Sequence, residues 1–121
     1  MTFFSRRKKP ETVDVGTLIF LREQKGVPEE DLKRGLEQIL AKYSNIERAY
    51  LAAVQYGRDR AEHVALCIRL RSGVLGEELL GEVESFFNRR FASSQALDII
   101  TVNILQERSL AQKCRPFYRY E

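Results

Sequence analysis

EHVALCIRLR, residues 62–71, alternates in character at every step. Val64, Leu66, Ile68 and Leu70 fall on one side, and His63, Ala65, Cys67, Arg69 and Arg71 on the other. Period two with one apolar side predicts a half-buried antiparallel strand. Upstream, the polar turn Gly57-Arg58-Asp59-Arg60 has hairpin length, which makes IERAYLAAVQY (46–56) the partner strand. Downstream, SGVLG (72–76) breaks the alternation. Leu79, Leu80, Val83, Phe86, Phe87 and Phe91 then predict an amphipathic helix over 76–91. Farther upstream, the β-branched run VDVGTLIFLRE (13–23) predicts the first strand, and QKG (24–26) a turn. A helix over 28–43 follows, with Pro28 at its first position and Glu29, Glu30 and Asp31 in its first turn, where negative charge suits the helix dipole. Its apolar stripe is Leu32, Leu36, Ile39, Leu40 and Tyr43. LDIITVNIL (97–105) predicts the last strand, and residues 107–113 a short helical turn before the tail.

The order β-α-β-β-α-β predicts an α+β, ferredoxin-like fold: a four-stranded antiparallel sheet with both helices on one face. The second face then has no layer of its own. Yet the second and fourth strands are apolar on both parities, with Ile100, Val102 and Ile104 opposing Leu97, Ile99 and Leu105. Something must bury that face: the tail, a second copy of the chain, or a foreign partner. The expectation is an oligomer, associating through this face or an edge strand.

A length of 121 residues fits one domain, and a core of this size needs no disulfide or metal staple. The division is a basic flexible lead-in over 1–12 and a single domain over 13–121. The net charge is +3, and the run Arg6, Arg7, Lys8, Lys9 alone supplies four positive charges, leaving the body close to neutral. A nucleic-acid binder would spread its excess over a folded face. Cys67 and Cys114 are too few for a disulfide framework. There is no apolar export segment, and no run approaches the ~20 residues of a membrane span. Free thiols without an export signal predict a cytoplasmic protein with no membrane partner.

The residue types argue against several chemistries. His63 and Cys67 resemble a base and a nucleophile, but four residues along a strand is ~13 Å, and a base must lie within ~3 Å of its proton. Cys67 is expected to pack and His63 to face solvent. A pairing of His63 with Cys114 through a folded tail stays open. One histidine and two distant cysteines lack zinc-ligand spacing, so no metal is expected. Glu78 and Glu82 read as a solvated helix face, and Gly73 and Gly76 lack the Gly-Lys-Ser/Thr of a phosphate loop. The expectation is a non-catalytic protein-interaction or structural module without cofactor. The alternative is a nucleic-acid-binding module using the open sheet face with Arg69 and Arg71, although that strand offers no aromatic for base stacking. An enzyme ranks below both.

CRPFYRYE (114–121) ends the chain on aromatics. Burying an aromatic contributes on the order of 1.5–3 kcal/mol, and Pro116 lowers the entropy lost on ordering. The tail is therefore expected to fold back, with Phe117 most buried and Tyr118 and Tyr120 at the margin. Together with Arg69 and Arg71 these three rings make the candidate interaction surface.

Three stretches carry a likeness: the opening Ile46-Glu47-Arg48-Ala49-Tyr50-Leu51, the aspartate-bearing strand around Asp98, and the closing Pro116-Phe117-Tyr118. In their order and spacing the chain resembles the C-terminal domain of the bacterial SseB family, linked by name to enhanced serine sensitivity. The resemblance spans most of 13–119 and implies no catalytic residues. Longer members carry an N-terminal module, which is expected to be lacking here because about a dozen residues precede the first strand.

Overall fold

The computed structural model describes residues 3–5, 18–57, 60–91 and 95–121. In chain order the elements are β1 (Phe3–Ser5), β2 (Leu18–Glu23), α1 (Val27–Leu40), β3 (Ile46–Tyr56), β4 (His63–Leu70), α2 (Glu77–Arg90), β5 (Asp98–Thr101), α3 (Ile104–Ala111) and β6 (Tyr118–Arg119). Within the N-terminal lead-in, Phe3–Ser5 form a strand against β5. Residues 6–12, and the 13–17 part of the expected first strand, lie outside the described residues, as do Arg58 and Asp59 of the hairpin turn.

The helices form where the local chemistry asks for them. Gly26 precedes α1 at a φ of 131°, a conformation that favours glycine, and Pro28 and two glutamates occupy the first turn. Glu77 and Glu78 open α2, and Arg89 and Arg90 close it, each matching the sign of the helix dipole. Leu32, Leu36 and Leu40 of α1 and Leu79, Val83 and Phe87 of α2 pack on Leu51, Leu66, Ile68 and Ile99 of the sheet. Both expected helices therefore lie on one face. They approach closely at Gly35, where a Cβ would fall 1.9 Å from the Phe86 ring.

The strand order corrects the ferredoxin-like expectation. The sheet runs β1-β5-β4-β3-β2, with β6 also paired to β3. β2 is antiparallel to β3, β3 to β4, and β1 to β5, but β5 is parallel to β4. The reason lies in what each helix does. Glu23, near the end of β2, sits opposite Ala52, and the Ile46–Leu51 half of β3 extends ~20 Å past that point. The 14-residue α1 spans ~21 Å. It carries the chain forward over that length, and β3 returns antiparallel beside β2. α2 instead runs back along the sheet, so β5 starts opposite Ala65 and runs with β4.

The second face is covered by the chain itself. The strand expected over 97–105 ends at Thr101, and α3 begins at Ile104. Asn103 stops the strand. Its Oδ1 accepts the Gln106 N–H at 2.8 Å, and Gln106 Oε1 accepts the Asn103 N–H at 2.8 Å. This reciprocal capping box satisfies two otherwise orphaned donors of a new helix. Leu110 of α3, with Val102 and Cys114, then packs on Phe20, Tyr50, Ala52, Val54, Ala65, Cys67 and Ile100. Ile104 and Leu105, expected inside a strand, are 52% and 67% exposed on the helix.

The tail folds back, as expected, and it does so as a strand. Phe117 N–H donates to Ala49 O at 2.9 Å, and Tyr120 N–H to Glu47 O at 2.9 Å. Glu23 adds a tie: its carboxylate accepts the Arg115 N–H at 3.0 Å and the Lys33 ammonium at 3.1 Å. Burial alone would raise the Glu23 pKa, but these donors outweigh it and hold the carboxyl low. The most buried ring is Tyr118, 8% exposed, and not Phe117, which is half-buried. Register explains the correction. Tyr118 lies opposite Ala49, whose small side chain faces the α1 side and leaves room for a ring. Tyr120 stays at the margin.

Leu110→Ala is expected to cost about 2–5 kcal/mol of unfolding free energy, and Leu105→Ala less than about 0.5 kcal/mol. Denaturant titration reads both, and equal losses would contradict the covering helix. By the same measurement Tyr118→Ala should cost about 3 kcal/mol and more than Phe117→Ala.

Candidate functional site

At the end of the sheet where β3 begins and β4 ends, charge gathers on the α3 side. A register shift between Ile46 and Arg48 turns Arg48 to that side, while Ile46 stays in the helix-side core. Arg48 pairs in register with Arg69 of β4 and with Arg119 of β6. Three arginines thus form one cross-strand row.

Glu107 of α3, 6% exposed, answers that row. Its carboxylate accepts from Arg48 Nε at 2.5 Å, Arg48 Nη2 at 3.0 Å and the Tyr50 hydroxyl at 2.7 Å. Arg69 Nε lies 3.4 Å from Glu107 Oε1 as an ion pair, without the geometry of a hydrogen bond. Burial would raise the Glu107 pKa, but Arg48, Tyr50 and Arg69 together hold it below the ordinary carboxylate value. The same carboxylate pushes the Arg48 guanidinium up. Burial first, then Glu107, pushes the Tyr50 phenol up.

Beside this cluster, α3 and the segment leading into β6 enclose a groove of about 500 Å³. Arg48, Arg108, Arg115, Arg119, Ile104 and Pro116 line it, with Glu107 in its wall. Arg108, Arg115 and Arg119 are exposed, and among the described residues their guanidinium groups have no hydrogen bond or ion pair.

The residues singled out from sequence are dispersed by the fold. Arg69 joins the Glu107 cluster. Arg71 donates from Nη1 to Ser44 O at 3.0 Å, lies 3.6 Å from Glu47 Oε1, and stacks its guanidinium 3.8 Å from the Tyr120 ring centre. Phe117 and Tyr118 serve the core. The open sheet face on which Arg69 and Arg71 were to meet a nucleic acid carries α3. Sequence reasoning passed over Arg48, Glu107, Arg108, Arg115 and Arg119. The available signal was a charged pair, Glu47-Arg48, inside an otherwise apolar strand. Nothing local announces a partner 59 residues away.

The remaining candidates resolve as follows. Cys67 is fully buried, and burial pushes its thiol far up. Burial also raises Cys114, to about 12, and its Sγ donates to Leu51 O at 3.5 Å. His63 is not solvent-facing: its side chain is 10% exposed and Nδ1 lies 3.8 Å from Asp98 Oδ2, which also accepts the Tyr56 hydroxyl at 2.8 Å. Asp98 lies opposite Ala65, on the same side of β4 as His63. Glu82 accepts from Lys42 and Tyr43 and so ties α2 to the end of α1. No group of three metal-ligating side chains gathers among the described residues, and no helix there is long and apolar enough to cross a membrane.

The family model of the SseB protein C-terminal domain matches residues 13–119, from before β2 to the end of β6. The chain belongs to this family. The opening and closing stretches that carry the likeness are cross-strand neighbours, since Ala49 lies opposite Tyr118. In this SseB C-terminal domain the match includes the arginine row, Glu107 and the groove. No curated protein and no solved structure matches the chain.

Glu107→Ala is expected to cost about 3 kcal/mol, because it leaves Arg48 and Tyr50 facing an empty partner position. Its charge should contribute stability that is full above the unfolded carboxylate pKa of about 4.3 and lost as pH falls through the lower folded value. The stability difference between wild type and Glu107→Gln should therefore be flat near neutrality and shrink in acid. A difference that grows in acid would reverse the sign of the argument.

Proposed function

We propose that this SseB C-terminal domain is a non-catalytic protein-interaction module whose contact surface is the groove between α3 and β6. One observation carries the reading. Exposed Ile104 lines the same groove as three arginines whose guanidinium groups have no partner among the described residues. An apolar anchor ringed by arginine is the composition that protein interfaces favour. Leu105, 67% exposed on the next position of α3, is a second exposed apolar side chain on that helix, outside the groove lining.

The raised thiols support the non-catalytic side of the reading, since a thiol held protonated is a poor nucleophile. His63 is engaged with Asp98 and not with either sulfur. The partner is another protein or a second copy of the chain. The setting we propose is the cytoplasm, in keeping with two free, buried cysteines.

Sedimentation over a wide concentration range, and capture from the protein's own cell with the tagged full chain, test this together. We expect either concentration-dependent association or one reproducible protein partner. Ile104→Asp with Leu105→Asp should abolish whichever is seen while leaving the circular dichroism unchanged. A monomer at all concentrations with no partner sensitive to that variant overturns the reading.

A further inference from the structure

The row Arg119–Arg48–Arg69 sets like charges directly opposite one another on three neighbouring strands. Such pairs destabilise a sheet unless something neutralises them. Glu107 neutralises only part of the row. Both hydrogen bonds that Arg48 makes to it are inside the cluster, and Arg69 faces the same carboxylate. Arg119 is left over, and Arg108 and Arg115 add two further charges to the same groove. The fold does not use these three guanidinium groups, because none is bound to another described side chain.

The geometry points to a site for an acidic peptide segment, with side-chain carboxylates held by Arg108, Arg115 and Arg119. This rests on the proposed function and specifies the chemistry of its partner. A guanidinium presents a planar fork of donors that matches a carboxylate bidentately. Ile104 and Pro116 in the lining suit an aliphatic residue next to the acid. A single-stranded nucleic acid would also seek arginine, but it gains affinity by stacking bases on rings. The rings nearby are committed. Tyr50 is buried with its hydroxyl on Glu107, and Arg71 already covers Tyr120.

The test uses the full chain with a capped oligoglutamate peptide, and with oligothymidylate and inorganic pyrophosphate as separate probes at low ionic strength. Binding is followed by calorimetry and by backbone amide shifts. The peptide should bind, with the largest shifts at Arg108, Arg115 and Arg119. R108Q/R115Q/R119Q should weaken it about ten-fold or more, and R89Q/R90Q, exposed on α2, should leave it unchanged. The three groove arginines are exposed, and Arg119 is an uncompensated charge in the row, so this variant should melt no lower than wild type, and the melt is recorded. No peptide binding, equal weakening by both variants, or tighter binding of oligothymidylate or pyrophosphate to the same amides overturns the assignment. Retention of a natural partner by the triple arginine variant, with its loss in Ile104→Asp/Leu105→Asp, overturns this inference and leaves the interaction reading standing.

Discussion

The length of β3 is the constraint on which the rest of the structure depends. It runs from Ile46 to Tyr56, while β2 has six residues and covers only the later half of one edge. The earlier half lies over a buried core, where an unpaired backbone group costs as much as a lost hydrogen bond. Gln24 N–H serves Leu51 O, and the returning tail serves Ala49 O and Glu47 O. The C-terminal aromatics are thus held by the edge they complete. Tyr118 inherits its burial from the register that this pairing imposes.

A second constraint is the two-sided apolar sheet. Ala52, Val54, Ala65, Cys67 and Ile100 face away from α1 and α2, and burying them repays a third layer. α3 supplies it, and the capping box at Asn103 sets where it starts. Because α3 lies over the arginine row, the same helix that closes the core brings Glu107 to Arg48 and Tyr50. Structural cover and electrostatic compensation come from one element.

The charge pattern at this end of the sheet follows from the pairing. A bulge after Ile46 and the return of the tail bring three arginines into one row. A single buried glutamate is fully occupied by its nearest partners. The guanidinium groups beyond its reach remain on an exposed groove beside Ile104, while on the helix side Lys42 and Tyr43 meet Glu82 and Arg34 meets Asp31.

Local periodicity by itself determined the two main helices and the β3–β4 hairpin, because each depends on residues a few positions apart, but it read β4 as half-buried where Ala65 and Cys67 are as fully buried as Leu66 and Ile68. The aromatic content of the tail determined its return, and the order and spacing of the stretches at Ile46–Leu51, Asp98 and Pro116–Tyr118 determined the family likeness. The Asn103–Gln106 cap was equally legible, but the apolar run Ile104-Leu105 beside it imitated a continuing strand. Only the tertiary structure decided the mixed strand order, which depends on whether each helix carries the chain forward or back. It also decided the burial of Tyr118 over Phe117 and the assembly of Arg48, Arg69, Arg119 and Glu107. Those side chains come from four elements, and a charge on a strand carries no local mark of the partner that a distant helix will set over it.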